Sequence, residues 1–258
     1  MDNTICVNSK RLIWLDQLKA ISMYLVILGH SLLKFKKHLM FKVIYSFHMP
    51  LFFIISGFTF NPNKYERISE CIKDKIIKLV YPYIMLNILV LPLWYINKIT
   101  GMVPHDSFIK VLIGIFYSNA SVVRAPSNAT WFLMTMFLTQ IIYYTLYHYL
   151  KDDKSVFIMS CVICLTGLIA PLGKEEFDAP LHLDVALVAQ FYYGSGYILR
   201  KNFRYFQKCL ANKTFLKILA IVIIASFFCL INKQVDLSNE LYRNFTYTLL
   251  HLYLFRLF

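Results

Sequence analysis

The sequence predicts an all-α, polytopic helical membrane protein with about eight spanning helices plus one short re-entrant or interfacial segment. Of its 258 residues, 58% are hydrophobic and only 16% are charged, whereas soluble domains are roughly half apolar and a quarter charged. A soluble core cannot hide that much apolar surface. Stretches of ~20 mostly apolar residues, enough to cross a hydrocarbon core of ~30 Å, recur from Leu12 onward. None of them alternates with the period of two that a membrane barrel requires.

In chain order the apolar runs are Leu12–Leu33, Phe41–Phe60, Leu79–Ile96, Phe108–Ser118, Thr130–Leu150, Ser155–Pro171, Asp184–Leu199, Phe215–Ile231 and Phe245–Phe258. The first is expected to remain as a membrane helix rather than a cleaved signal. It contains Lys19, follows a polar stretch and has no small-residue cleavage site after it. The most basic connections, Asn61–Lys78 and Arg200–Lys213, are assigned to the cytoplasm by the positive-inside rule, so an even number of crossings separates them. Five runs lie between, so one of them fails to cross. Phe108–Ser118 is that run, at 11 residues against the ~17 that spanning requires. Lys151–Lys154 then falls inside and the acidic Gly173–Leu183, with Glu175, Glu176 and Asp178, outside. The amino terminus is expected in the cytoplasm of a multi-pass cell-membrane protein. Lys34, Lys36, Lys37 and Lys42 oppose this orientation, but the two strongly basic connections outweigh them. In the second run, Pro50 is expected in the first helical turn, where its missing donor costs little.

No internal repeat and no low-complexity linker divides the chain, so residues 1–258 are expected to form a single membrane-embedded domain. The last run ends at Arg256-Leu257-Phe258 without a basic flank, and the domain is expected to be incomplete at its carboxy-terminal end.

The net charge of +13 invites a nucleic-acid reading. The cations, however, sit in short clusters between apolar runs, with no basic face interleaved with stacking aromatics, so no nucleic-acid partner is expected. The 22 Phe and 18 Tyr residues suit lipid-facing surfaces and interfacial belts. Of six cysteines, Cys161 and Cys164 form a C-x-x-C. It lacks the second pair or histidine cluster of a metal site, and no metal is expected.

Ionisable groups inside a span are costly and default to functional hypotheses. The first run holds Asp16, Lys19 and His30. A separation of three residues puts Asp16 and Lys19 within salt-bridge reach, and Lys19 and His30 share a side of the helix ~16 Å apart. The structural alternative is mutual neutralisation, with Lys19 snorkelling to the inner interface. His48 opens the second span at the level where His30 leaves the first, so two imidazoles converge near the outer side, suited to moving a proton near neutral pH. Trp131 opens the span after the short run, either as a belt residue or as a platform for a sugar ring. His182 and Asp184 lie at the same outer level as candidate acceptor contacts.

The series Leu15-Asp16-Gln17-Leu18-Lys19-Ala20, ten residues between Lys19 and His30, Phe47-His48-Met49-Pro50-Leu51-Phe52-Phe53 and Ser56-Gly57-Phe58 resembles the acyltransferase-3 family of membrane-bound O-acyltransferases. The nearest look is its fucose 4-O-acetylase-like branch. Lys78 before Tyr81-Pro82-Tyr83, Trp131-Phe132-Leu133 and Phe191-Tyr192-Tyr193-Gly194-Ser195-Gly196-Tyr197 extend the resemblance over almost the whole chain. The family often has an arginine where Lys19 stands, so the charge is kept while the bidentate fork is lost. It also usually has about ten helices, more than fit here.

The resemblance implies transfer of an acyl group, most often acetyl, from cytoplasmic acyl-CoA to a hydroxyl of a sugar in a surface glycan or lipid-linked precursor. His30 would be the general base or transiently carry the acyl group, Lys19 and Asp16 would meet acetyl-CoA as acyl-donor co-substrate, and His48 and Trp131 would line the acceptor side. Partners would then be the lipid bilayer, acyl-CoA and a sugar or polysaccharide acceptor. The alternative from another class is a transporter or flippase of a glycan or organic anion, which would place paired broken helices in two related halves.

Overall fold

The computed structural model describes residues 13–31, 39–101, 107–118, 130–169, 179–203 and 205. Among these the chain is helical, without strands: α1 (Ile13–Ser31), α2 (Leu39–Phe58), α3 (Ile68–Lys75), α4 (Tyr81–Ile99), α5 (Phe108–Tyr117), α6 (Trp131–Leu150), α7 (Asp153–Ile169) and α8 (Leu183–Lys201). Within the described residues each of the first seven apolar runs is helical over most of its length. The runs Phe215–Ile231 and Phe245–Phe258, the clusters around Lys36 and Glu175, and Cys6, Cys209 and Cys229 lie outside the described residues.

The chain forms two compact units, one within residues 1–60 and 192–258, the other within 61–191, the division falling inside α8. In the first unit α1 packs on α2. Leu15 of α1 is buried with Ile55 and Phe58 of α2, and Leu18, Leu51, Leu199 and Phe203 pack around them. The start of α1 therefore meets the ends of α2 and α8. Three rings close the junction: Trp14 lies 5.3 Å edge-on from Phe58 and 5.6 Å from Phe203 in a parallel stack, and Phe58 and Phe203 are 5.5 Å apart. Such pairs add ~0.5–1.5 kcal/mol each beyond burial.

Between α2 and α8 the backbones themselves touch. A Cβ placed on Gly57 would overlap the carbonyl group of Tyr193, and one on Gly196 would overlap the carbonyl of Ile54 and crowd the amide of Phe58. Small residues permit this approach, and close packing replaces the hydrophobic drive that lipid removes. Pro50 corrects its sequence-based placement: α2 begins at Leu39, so Pro50 stands inside the helix. It deletes one rung of the i→i−4 ladder there.

In the second unit, α3, a π-helical turn Ile76–Val80 and α4 form one continuous helix, Ile68–Ile99. The widened turn has a local cause. Pro82 has no N–H and its ring would strike the carbonyl four residues back, and the ladder passes it by bonding Tyr81 N–H to the Ile76 carbonyl, five residues away. Among the described residues this is the one helix that is, by length and composition, long and apolar enough to cross a membrane. The basic stretch Asn61–Lys78, expected as a connection, is thus helical from Ile68 onward. Large apolar side chains cover its outside, Leu89 at 74% exposure and Leu93 at 60%, as a lipid-facing surface requires.

The 10 residues of α5 span ~15 Å, half a hydrocarbon core. Ser107 caps its start by accepting from the Lys110 N–H at 3.2 Å, and Ser118 ends it in the left-handed region at φ 53°. Val111, Gly114 and Ile115 face inward while Phe108, Ile109, Ile113 and Phe116 are exposed. The Tyr83 hydroxyl donates to the Ile115 carbonyl at 2.7 Å, and Asn87 donates to the Tyr83 carbonyl at 2.9 Å and to Thr130 at 3.1 Å. Helix α6 buries a polar face of Thr135, Thr139, Gln140, Tyr143 and Tyr144. Gln190 of α8 donates to the Thr139 carbonyl at 3.1 Å. A two-residue turn then reverses α6 into α7, with Lys151 at φ 56° and Asp152 accepting from the Ser155 N–H and hydroxyl at 2.9 and 2.8 Å.

Two consequences are measurable. Gly57→Ala and Gly196→Ala each force α2 and α8 apart, at a cost on the order of 1–3 kcal/mol for overpacking, and lower the Tm in detergent, whereas the exposed Leu89→Ala does not. At Asp152, hydrogen bonds from the Ser155 N–H and hydroxyl hold the carboxyl below its ordinary range. Its contribution is therefore complete above the unfolded-state pKa of ~3.9 and fades as pH falls through the lower folded value. The Tm deficit of Asp152→Ala is expected in full at pH 7 and shrinks in acid.

Candidate functional site

One end of the first unit is charged. Asp16 and Lys19 form an i,i+3 ion pair at 3.8 Å, both half-exposed, as their spacing predicts. Arg200, in the last turn of α8, donates to the Phe60 carbonyl at 2.7 Å, just beyond the end of α2. A cation there meets the negative end of the α2 dipole. Lys201 lies over the Tyr197 ring at 5.4 Å.

Farther along the same helices stand the two histidines. His30 occupies the last turn of α1 and is exposed, next to buried Gly29. His48 is buried at 5% exposure and sits halfway along α2, deeper than the helix-opening position expected from the sequence. Its Nδ1 lies 2.8 Å from the Ile44 carbonyl. A carbonyl only accepts, so Nδ1 carries the proton; in the neutral ring the lone pair is therefore on Nε2. The first unit thus carries both imidazoles, on two helices that pack together, and holds Lys19 with Asp16 on the same helix as His30.

Trp131 belongs to the second unit, where it opens α6. Its ring centroid is 4.8 Å from that of His182, tilted by 51°, and 6.4 Å from that of Phe132. Leu181 and His182 are consecutive non-glycine residues at φ 58° and 53°, a conformation costing roughly 1–3 kcal/mol at each and kept only where the surroundings over-determine it. Leu181 supplies that constraint by packing against the buried Tyr83, Ile115 and Met134. Two residues later Asp184 is 3% exposed in the first turn of α8, where the helix dipole favours a negative charge.

The sequence reading missed a polar knot at the start of the long helix. Asp74 takes Lys78 at 2.6 Å and Lys64 at 3.2 Å, and the Tyr65 hydroxyl also donates to it. Tyr144 donates to the Tyr65 carbonyl at 2.7 Å. Burial, followed by the hydrogen bond to and charge of Asp74, holds the Tyr65 phenol well above its ordinary pKa. The i,i+4 spacing of Asp74 and Lys78 was the available signal. Cys161 is half-buried and Cys164 buried, both as free thiols on α7. Among the described residues no group of three or more metal-ligating side chains forms.

Searches of curated proteins and of solved structures return no match. The family described as an acyltransferase domain matches residues 12–258, nearly the entire chain and including every residue of the site above. The chain therefore belongs to the acyltransferase-3 family, whose members are membrane acyltransferases.

Proposed function

We propose that the protein transfers an acetyl or other short acyl group from cytoplasmic acyl-CoA to a hydroxyl of a sugar acceptor, in a surface glycan or lipid-linked precursor, in the manner of the fucose 4-O-acetylase-like branch. The observation that carries this reading is a buried His48 whose Nδ1 is committed to a backbone carbonyl, in the same compact unit as His30. In the neutral His48 ring the Nε2 then accepts a hydrogen bond and helps to orient a hydroxyl.

The chemistry follows from what a sugar hydroxyl lacks. It is a poor nucleophile near neutral pH, and a positioned base that takes its proton during attack contributes ~10²–10⁴-fold. His30 removes the hydroxyl proton as the sugar oxygen bonds to the thioester carbonyl carbon. The tetrahedral intermediate then breaks its C–S bond, and the CoA thiolate leaves with the proton that His30 held. Lys19, oriented by Asp16, meets the negative charge of CoA, and the cations Arg67, Lys73, Lys75 and Lys78 raise the local concentration of a polyanionic donor. His48 in the first unit and Trp131 in the second are each a candidate acceptor contact. The amino terminus faces the cytoplasm in this reading, within a multi-pass membrane domain.

Transfer of labelled acetyl from acetyl-CoA into membrane glycan, compared between the native protein and His30→Ala at matched expression, tests the proposal. The expected result is a loss of at least ~100-fold; undiminished labelling removes His30 from the mechanism. Lys19→Ala is expected to raise the KM for acetyl-CoA several-fold while leaving kcat within about twofold, as loss of uniform donor binding does.

A further inference from the structure

We propose that Lys73 and Lys75, near the start of the long helix Ile68–Ile99, form a binding site for the headgroup of an anionic phospholipid in the adjoining leaflet. The site does not depend on the acyl-transfer reading; it requires only that this helix crosses the membrane.

Helix length sets the depth. The 32 residues of the long helix rise about 48 Å, against a hydrocarbon core of ~30 Å, so about 12 of them stand outside the core. Charge shows at which end. Lys78 and Lys98 are twenty residues apart with no charged residue between them, a rise of ~30 Å. Lys98 lies 5.3 Å over the Trp94 ring, a cation and an indole of the kind that marks a membrane interface. The overhang is therefore the stretch before Lys78. Lys75 and Lys73 fall about 5 and 8 Å beyond Lys78 along the axis, within the depth of the headgroup layer.

The surrounding charges leave these two lysines available. The carboxylate between them, Asp74, is held by Lys64, Lys78 and the Tyr65 hydroxyl. Two lysines on one carboxylate leave that knot positive. Among the described residues Lys73 and Lys75 enter no ion pair, and Glu70, one turn before Lys73, accepts the Glu66 N–H at 3.2 Å. Lys73 is exposed and Lys75 half-buried, and their long stems let both ammonium groups reach the phosphate layer.

The apolar surface beside them selects a lipid over a soluble anion. Ile76 and Ile77, exposed at 42% and 68%, follow Lys73 by three and four residues, on the same side of the helix and one turn deeper. One phospholipid satisfies both halves, its phosphate on the two lysines and its acyl chains on the two isoleucines. A soluble polyanion such as CoA has no counterpart to that apolar strip.

The test uses the full chain reconstituted in phosphatidylcholine, with Trp14→Phe, Trp94→Phe and Trp131→Phe removing the three tryptophans and Ile77→Trp supplying one reporter at the proposed site. Its quenching is compared between dibrominated phosphatidylglycerol and dibrominated phosphatidylcholine. The anionic lipid is expected to bind beside the reporter at least about tenfold more strongly, each interfacial cation contributing about fivefold. Lys73→Gln with Lys75→Gln brings the two lipids within about twofold of each other, and high salt weakens the preference of the unsubstituted pair. Equal quenching by the two lipids overturns the site, as does a preference that survives the double substitution. Excess CoA is expected to leave the preference intact; its loss assigns the two lysines to the donor and overturns the lipid site. If the reporter protein fails to fold, native mass spectrometry of the otherwise unaltered chain decides. Lys73→Gln with Lys75→Gln is then expected to lose at least one retained phosphatidylglycerol, and an unchanged count overturns the proposal.

Discussion

The contact on which the candidate chemistry depends is the meeting of α2 and α8 through backbone atoms at Gly57 and Gly196. A helix pair in lipid gains nothing from hiding apolar side chains, so its association rests on close packing and on interhelical hydrogen bonds. Here both glycines remove the side chain at the point of approach, and the Arg200 bond to the Phe60 carbonyl adds a polar tie one end further along. The aromatic triad of Trp14, Phe58 and Phe203 then fastens the start of α1 to the same junction. His30 and His48 ride on α1 and α2, the two helices so fixed.

The His48 ring shows how a buried polar group is satisfied within its own helix. Burying an imidazole is costly unless its nitrogens are satisfied, and the Ile44 carbonyl, one turn back on the same helix, satisfies one. The bond also selects which nitrogen carries the proton. In the proposed reaction, a ring whose tautomer is set by its own helix would need no rearrangement when a hydroxyl arrives, the preorganisation expected at a site of proton transfer.

Much of this was legible in the sequence because lipid imposes a simple rule: backbone polar groups must be satisfied within the segment, so long apolar runs become helices. All seven runs within the described residues are helical, and the short Phe108–Tyr117 stays short. The Asp16–Lys19 pair followed from helical spacing. What sequence reading could not supply came from tertiary constraint. Pro50 resembled a helix start, yet α2 begins eleven residues further back at Leu39. The left-handed pair Leu181–His182 carries no glycine to announce it and is held by the packing of Leu181. The widening at Ile76–Val80 is a response to Pro82 that periodicity alone does not reveal.

The central claim, that the Ile44 carbonyl of α2 presets the His48 ring, is tested most directly by ¹⁵N NMR of histidine-labelled protein in lipid, with His48 assigned by its loss in His48→Gln. The account predicts a neutral His48 ring protonated at Nδ1, with the Nδ1–H protected from exchange. A neutral ring protonated at Nε2, or one interconverting between tautomers, would contradict it.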